Sequence, residues 1–259
     1  MVEVNQEQRK AIAPLFEKST DTMVLSCLQG HMGRAWADCL PNPRSARILS
    51  GDFCFFGGKE DRELASRFAG DFSGDVLLAA DPAPGWASLL REIYGNRCTV
   101  QTRYAIRKNT VFDRERLERF RSSLPEKYRL CRIDREIYPK LMAEGWSRDF
   151  CSNFQDGDDF LRRGTGYAIL CGENPVSGAS SYSVYDGGIE IEIDTRRDHR
   201  RKGLAQCCAA ALILECLERG LYPSWDAANP VSVHLAQTLG YEFEREYPVY
   251  EISMTESGE

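Results

Sequence analysis

The chain predicts an α/β protein: a mixed, mostly antiparallel sheet flanked by helices, preceded by an N-terminal α/β unit that packs on it. Three features carry that prediction. Segments with the helical period and the strand period alternate along the whole chain. Between residues 167 and 195, three strand-like runs succeed one another with only turn residues between them, which makes a meander. An apolar, alanine-rich helix pattern opens soon after the third run. With 259 residues, 42% hydrophobic and 28% charged, the chain can bury a sizeable core and fill one large domain or two small ones.

The first helix is amphipathic, with Ala11, Ile12, Leu15 and Phe16 on one side and Asn5 placed to cap it. Strands are expected over residues 46–49 and 53–56, a short helix over 63–68 and a buried strand over 76–80. Asp81-Pro82-Ala83-Pro84 breaks the chain before a helix over 86–93, and residues 98–107 alternate like another strand. The charged segment 113–121 reads as a solvated helix or connector, and the domain boundary is set near Pro125, giving domains 1–125 and 126–259. Gly30-His31-Met32-Gly33 is a glycine-flanked turn rather than a ligand loop.

In the second domain a strand over 128–133 is followed by helices over 136–144 and 149–161. The meander comes next, with strands over 167–171, 176–185 and 189–195. Its turns are Gly172-Glu173-Asn174-Pro175 and Asp186-Gly187-Gly188. A helix over 204–219 closes at Gly220, a short strand covers 222–225, and a last helix over 231–239 ends at Gly240. Two final strands flank Pro248, and the aromatics Tyr241, Phe243, Tyr247 and Tyr250 belong to strand and core.

Composition excludes several classes. No apolar run approaches the roughly 20 residues a membrane helix needs, and the N-terminus has no apolar signal region. Ten scattered cysteines without a CxxC pair read as small buried hydrophobes in a reducing cytoplasm, not as bridges or metal ligands. A net charge of −6 argues against nucleic acid as the main partner. The exception is local: Arg196-Arg197-Asp198-His199-Arg200-Arg201-Lys202 holds five cations and one anion, which suits an anionic small molecule.

That basic loop leads from a strand to Gly203 at the start of a helix. Unpaired backbone N–H groups and the positive helix end converge there on one spot. Glycine lets a phosphate approach the backbone, Ala205 keeps the first turn free of bulk, and Arg200 offers bidentate donors. The pattern alone is weak and equally describes a solvated basic loop. It is followed, however, by Trp225-Asp226-Ala227-Ala228-Asn229 and by Leu235-Ala236-Gln237-Thr238-Leu239-Gly240-Tyr241.

With these segments in this order, residues 128–259 resemble the GNAT superfamily of acyl-coenzyme A N-acyltransferases, with its mostly antiparallel sheet. Within it the chain is most similar to the branch that includes zwittermicin A resistance acetyltransferases. The resemblance implies acetyl-coenzyme A as cofactor. Arg200, Gly203 and Ala205 match the pyrophosphate motif, and Arg201, Lys202 and Leu204 add backbone amides. Ile193, Asp194 and Thr195 match the strand end that pairs with the pantetheine arm, and Asn229 matches an asparagine that contacts the cofactor. The family fold also splays the strand ending at Thr195 from the one ending near Trp225. One departure stands out: the tyrosine that serves as general acid in many members is Ala236 here, which leaves that role unassigned, with Ser232 and His234 on the same helix as candidates to act directly or through water.

The reaction needs a neutral amine, hence a base. Glu190, Glu192 and Asp194 alternate on one face of a strand, opposite Ile189, Ile191 and Ile193, which face a helix layer. The acidic row faces either solvent or the acceptor cleft, and neighbouring carboxylates raise one another's pKa toward neutrality. The expected enzyme is a cytoplasmic N-acetyltransferase acting on a small-molecule primary amine by direct transfer in a ternary complex. No metal, nucleic acid or membrane is involved, backbone amides polarise the thioester carbonyl, and homodimer formation stays open. The rival readings are a non-catalytic acyl-coenzyme A sensor, favoured by Ala236, and an anion- or RNA-binding protein using the basic loop alone.

Overall fold

The computed structural model describes residues 1–68 and 70–255. They form two compact units, Met1–Arg103 together with the chain from Glu246 onward, and Tyr104–Arg245. The division at Arg103 thus lies well before the boundary set from sequence near Pro125. Both crossing points fall inside strands, so no turn-rich linker marks them.

The first unit contains β1 (Val2–Val4), α1 (Arg9–Ile12), α2 (Thr22–Leu28), β2 (Arg34–Ala37), β3 (Ser45–Ser50), β4 (Phe53–Gly58), α3 (Arg62–Ser66), β5 (Val76–Ala80), α4 (Pro84–Tyr94) and most of β6 (Cys98–Ile106). Strands β1 to β4 are joined antiparallel in sequence order, and β5 runs parallel to β4. Trp36, Leu77, Trp86, Leu90 and Ile252 share its core. Arg47 is wholly buried there, its guanidinium between the rings of Trp36 and Phe68 at 4.6 and 4.2 Å, with one terminal nitrogen donating to Asp71 Oδ2 at 2.7 Å. Gly30 and Gly33 bracket a turn with φ of 90° and 83°, matching the turn read from sequence.

The second unit contains α5 (Arg114–Ser122), β7 (Tyr128–Arg132), α6 (Ile137–Met142), α7 (Gly157–Arg163), β8 (Gly166–Cys171), β9 (Asn174–Tyr185), β10 (Gly188–Thr195), α8 (Leu204–Glu218), β11 (Tyr222–Ser224), β12 (Asp226–Ala227), α9 (Pro230–Leu239) and the start of β13 (Phe243–Ser253). The sheet order is β7-β8-β9-β10-β11, antiparallel except for the parallel pair β10–β11. This is the mixed, antiparallel-dominated sheet flanked by helices that the sequence predicts. Helix α8 lies on one face and packs on α5 as well, so residues from Cys207 to Leu214 are buried on every side of it. On the other face Ser180 Oγ donates at 2.6 Å to the carbonyl of Phe150, in a short 3-10 turn.

Three segments differ from expectation for identifiable reasons. The helix expected over 149–161 breaks into that 3-10 turn (Arg148–Phe150) and α7, because Asp156 caps a new helix start by accepting from Asp159 N at 2.8 Å. Segment 113–121 is a helix whose Leu117 is fully buried rather than solvated. The last two strands are one: β13 runs through Pro248, whose carbonyl still accepts from Asp81 N at 3.0 Å, so the proline removes only the N–H half of that pair and the strand continues.

Candidate functional site

The site begins where β10 and β11 part. Their parallel ladder pairs Gly188 with Tyr222, Ile189 with Pro223 and Glu190 with Ser224, and then stops. Past Ser224 the chain leaves to form β12, which pairs instead with Tyr104 and Ala105 of β6. Residues 191–195 of β10 are therefore paired on the β9 side only. The V-shaped opening continues into a cleft of about 790 Å³ between the end of β10, the start of α8 and one side of α9.

The strand contributes Ile193, Asp194 and Thr195 to the lining. Thr195 is anchored by its hydroxyl, 2.7 Å from Ser177 Oγ on the face toward α8. Gly203 opens α8 at φ 75°, where a Cβ would meet nothing within 4 Å, so the backbone itself fronts the cleft. No side chain caps α8 and no acid lies in its first turn, which leaves the partnerless N–H groups around Leu204, Ala205 and Gln206 for an anion. Arg201, at φ 60°, adds a second left-handed residue to the loop and also lines the cleft.

The remaining cations differ in how they are held. Arg200 lines the cleft but folds back on the strand end, donating from Nε to Thr195 O at 2.9 Å and from Nη2 to Asp194 Oδ1 at 3.2 Å. Lys202 turns to Asp198 O, 2.8 Å from its Nζ. His199, given no role from sequence, lines the cleft and braces the loop: its Nε2 accepts from Arg196 at 3.0 Å, so Nδ1 carries the proton donated to Tyr128 Oη at 3.0 Å. Desolvation, reinforced by nearby Lys202, Arg196 and Lys127 and opposed by Asp198, holds its pKa below the usual histidine value. The only sequence signal for it was its place within the basic run.

On α9, Asn229 is the N-cap, its Oδ1 accepting from Ser232 N at 3.0 Å, with Pro230 at the first helical position. Ser232 Oγ accepts from Trp225 Nε1 at 3.1 Å, which leaves its own hydroxyl proton to be donated. Both Asn229 and Ser232 line the cleft, as does the exposed His234, whereas Ala236 is fully buried. The Trp225–Ser232 bond was not legible in sequence, because it joins a strand end to a helix seven residues on.

The carboxylate row is not a uniform face. Glu190 is only 5% exposed, at the vertex of the splay between Ser183 and Ser224. The β9–β10 register shifts just beyond it: Glu190 faces Ser183 while Ile191 faces Ser181, and Tyr182 is the extra residue on β9. Glu192 and Asp194 are half-buried opposite Ser180 and Gly178. Of the three isoleucines, Ile189 and Ile191 are buried as expected, while Ile193 is half-buried on the cleft wall. Burial first, and the negative charge of Glu190 in part, push the Tyr185 phenol up to about 12.

Comparison with known proteins decides the family: residues 13–250 match the GNAT acetyltransferase family. The chain belongs to it. This GNAT chain is 28% identical over 259 residues, 96% of its own length and 97% of the relative's, to the uncharacterized N-acetyltransferase YdfB of Bacillus subtilis strain 168. A GCN5-related N-acetyltransferase-like protein from Streptococcus suis 89/1591 is 42% identical, with a TM-score of 0.89 over 95% of this chain and 98% of that one. A GCN5-related N-acetyltransferase from Kribbella flavida, at 14% identity and a TM-score of 0.53 over 97% and 96% of the two chains, shares the fold.

Burial pushes the Cys27 and Cys207 thiols up to about 11 and those of Cys54, Cys151 and Cys216 to about 12. Among the described residues no group of His, Cys, Asp and Glu could hold a metal ion, and no helix is long and apolar enough to cross a membrane.

Proposed function

We propose that this GNAT chain moves an acetyl group from acetyl-coenzyme A to a primary amine of a small-molecule acceptor, the amine attacking the thioester with both substrates bound. The observation that carries the reading is the uncapped start of α8 behind Gly203, opening on the cleft where β10 and β11 part. The residues present fit the coenzyme: an open left-handed glycine, a small Ala205 and cationic Arg200 and Arg201 stand where a pyrophosphate needs backbone donors and counter-charge. The edge at Ile193, Asp194 and Thr195, unpaired by any strand on the cleft side, supplies backbone groups for an extended pantetheine arm, and Asn229 borders the same space. Backbone amides of Lys202 and Leu204 complete the phosphate loop. Bound there, the coenzyme supplies an activated acyl carbon.

Glu190 or Glu192 accepts a proton from the acceptor's ammonium group, directly or through water, so that the nitrogen lone pair is free to attack. Of the two, Glu190 is the more buried, at the vertex of the splay. Ser232, polarised by Trp225 Nε1, hands a proton to the departing sulfur in place of the tyrosine that Ala236 replaces. Gly203-Leu204-Ala205, with the Trp225 to Asn229 segment, supports a place near the zwittermicin A resistance branch, and ten free thiols support a reducing cytoplasm. The second reading, a non-catalytic acyl-coenzyme A binding protein, is favoured by one observation, the buried Ala236. Thiol release from acetyl-coenzyme A, measured against a panel of primary amines, separates them. Amine-dependent release supports the transferase; tight coenzyme binding with no release above hydrolysis for any amine supports the binding protein.

A further inference from the structure

The chain runs through one plan twice. In chain order the elements are β1, α1, α2, β2, β3, β4, α3, β5, α4, β6, and then β7, α6, α7, β8, β9, β10, α8, β11, α9, β13, apart from α5, the two-residue β12 and the short 3-10 turns. Each pass is a strand, two helices, a three-strand meander, a helix, a strand, a helix and a strand. The pairing repeats too: β1-β2-β3-β4-β5 and β7-β8-β9-β10-β11 are both antiparallel up to a final parallel pair. Helices α4 and α9 both start on a proline, Pro84 and Pro230, and close on a glycine, Gly95 and Gly240. Agreement in order along ten elements, in pairing direction along the first five strands of each pass and in the punctuation of α4 and α9 is more than two unrelated α/β units would share.

The repeat also identifies what the first unit has in place of the cleft. Its parallel ladder stops at Cys54 opposite Ala79, leaving the end of β4 to diverge as the end of β10 does. Here the opening is filled. Trp86, third residue of α4 as Ser232 is third of α9, is fully buried, stacks on Phe56 with centroids 4.6 Å apart, and donates from Nε1 to Gly58 O at 3.1 Å. The strand-edge carbonyl that an extended ligand would use is taken. The basic loop is missing as well: three residues, Lys59, Glu60 and Asp61, join β4 to α3. Asp61 Oδ1 caps α3 by accepting from Leu64 N at 2.9 Å, and Glu63 sits in the first turn. Carboxylates thus occupy the helix end that an anion would need.

We infer that the first unit is a second copy of the acyltransferase fold whose donor cleft is closed by Trp86 and by the acidic start of α3, so that the chain carries a single acyl-donor site, in the second unit. This rests on the donor reading given above. Titration calorimetry of the full chain with coenzyme A tests it. One equivalent per chain in the parent, and no binding in a Gly203→Glu variant that still melts cooperatively, is the expected result. Two equivalents in the parent, or coenzyme A binding retained by folded Gly203→Glu with the parent's affinity, overturns the inference while leaving a donor-binding protein. No binding by the parent overturns the donor reading and the inference with it. Where Gly203→Glu fails to fold, Ala205→Glu at the same helix start takes its place: lost binding in the folded variant is expected, and binding with the parent's affinity overturns the inference.

Discussion

Glu190 is the residue whose setting departs furthest from its sequence context. Alternation groups it with Glu192 and Asp194, but only the three-dimensional pairing reveals that β11 ends beside it and that β9 gains a residue just past it. Gly203, Ala205, Arg200 and Asn229 stood out in the sequence by local spacing alone, and the structure gathers them round one cleft. Lys202's bond to Asp198, the His199 brace and the Trp225–Ser232 bond depend on side-chain paths that spacing does not encode. If Glu190 is the base, Glu190→Gln keeps coenzyme binding while the rate at neutral pH falls by roughly 10²–10⁴, with partial recovery at high pH where the amine is already neutral. Rate-versus-pH profiles of Glu190→Gln, Glu192→Gln and Asp194→Asn check this, and three parent-like profiles contradict it.

Among the elements, α7 shows how a local ion pair sets acid stability. Asp159, 5% exposed in its first turn, accepts from Arg163 Nε at 2.8 Å, from Arg162 and from Gln155 N at 3.2 Å. The Arg163 hydrogen bond above all holds its pKa well below the usual carboxylate range. A depressed folded pKa gives stability that is fully present above the unfolded value near ~4 and is lost as pH falls through the folded value. Asp159→Asn should therefore cost roughly 1.5–3 kcal/mol at pH 7, and the gap from the parent should narrow below about pH 4. Urea melts at pH 7 and pH 3 measure it; an equal gap at both contradicts the ion-pair account. The same helix shows why its start was misplaced: the Asp156 cap overrides a helical period that looked continuous from residue 149.

Over the whole molecule, the α/β class and the element order of the second unit were legible, since meander, turns and helix stops are local signals. The repeat was not, because the two units share a plan of pairing while their loops and apolar positions differ, as the three-residue and eight-residue connections before α3 and α8 illustrate. Nor was the division at Arg103, because β6 and β13 each run through both units without a break. In the proposed function the acyl donor sits against Gly203 and the start of α8. The most direct test is the melting temperature of the parent and of Gly203→Glu with and without acetyl-coenzyme A. At about 100 times the dissociation constant the parent should gain roughly 2.7 kcal/mol of stability and melt correspondingly higher. The variant, with bulk and negative charge where the pyrophosphate belongs, should show no shift; an undiminished shift in Gly203→Glu would contradict a donor site at the start of α8.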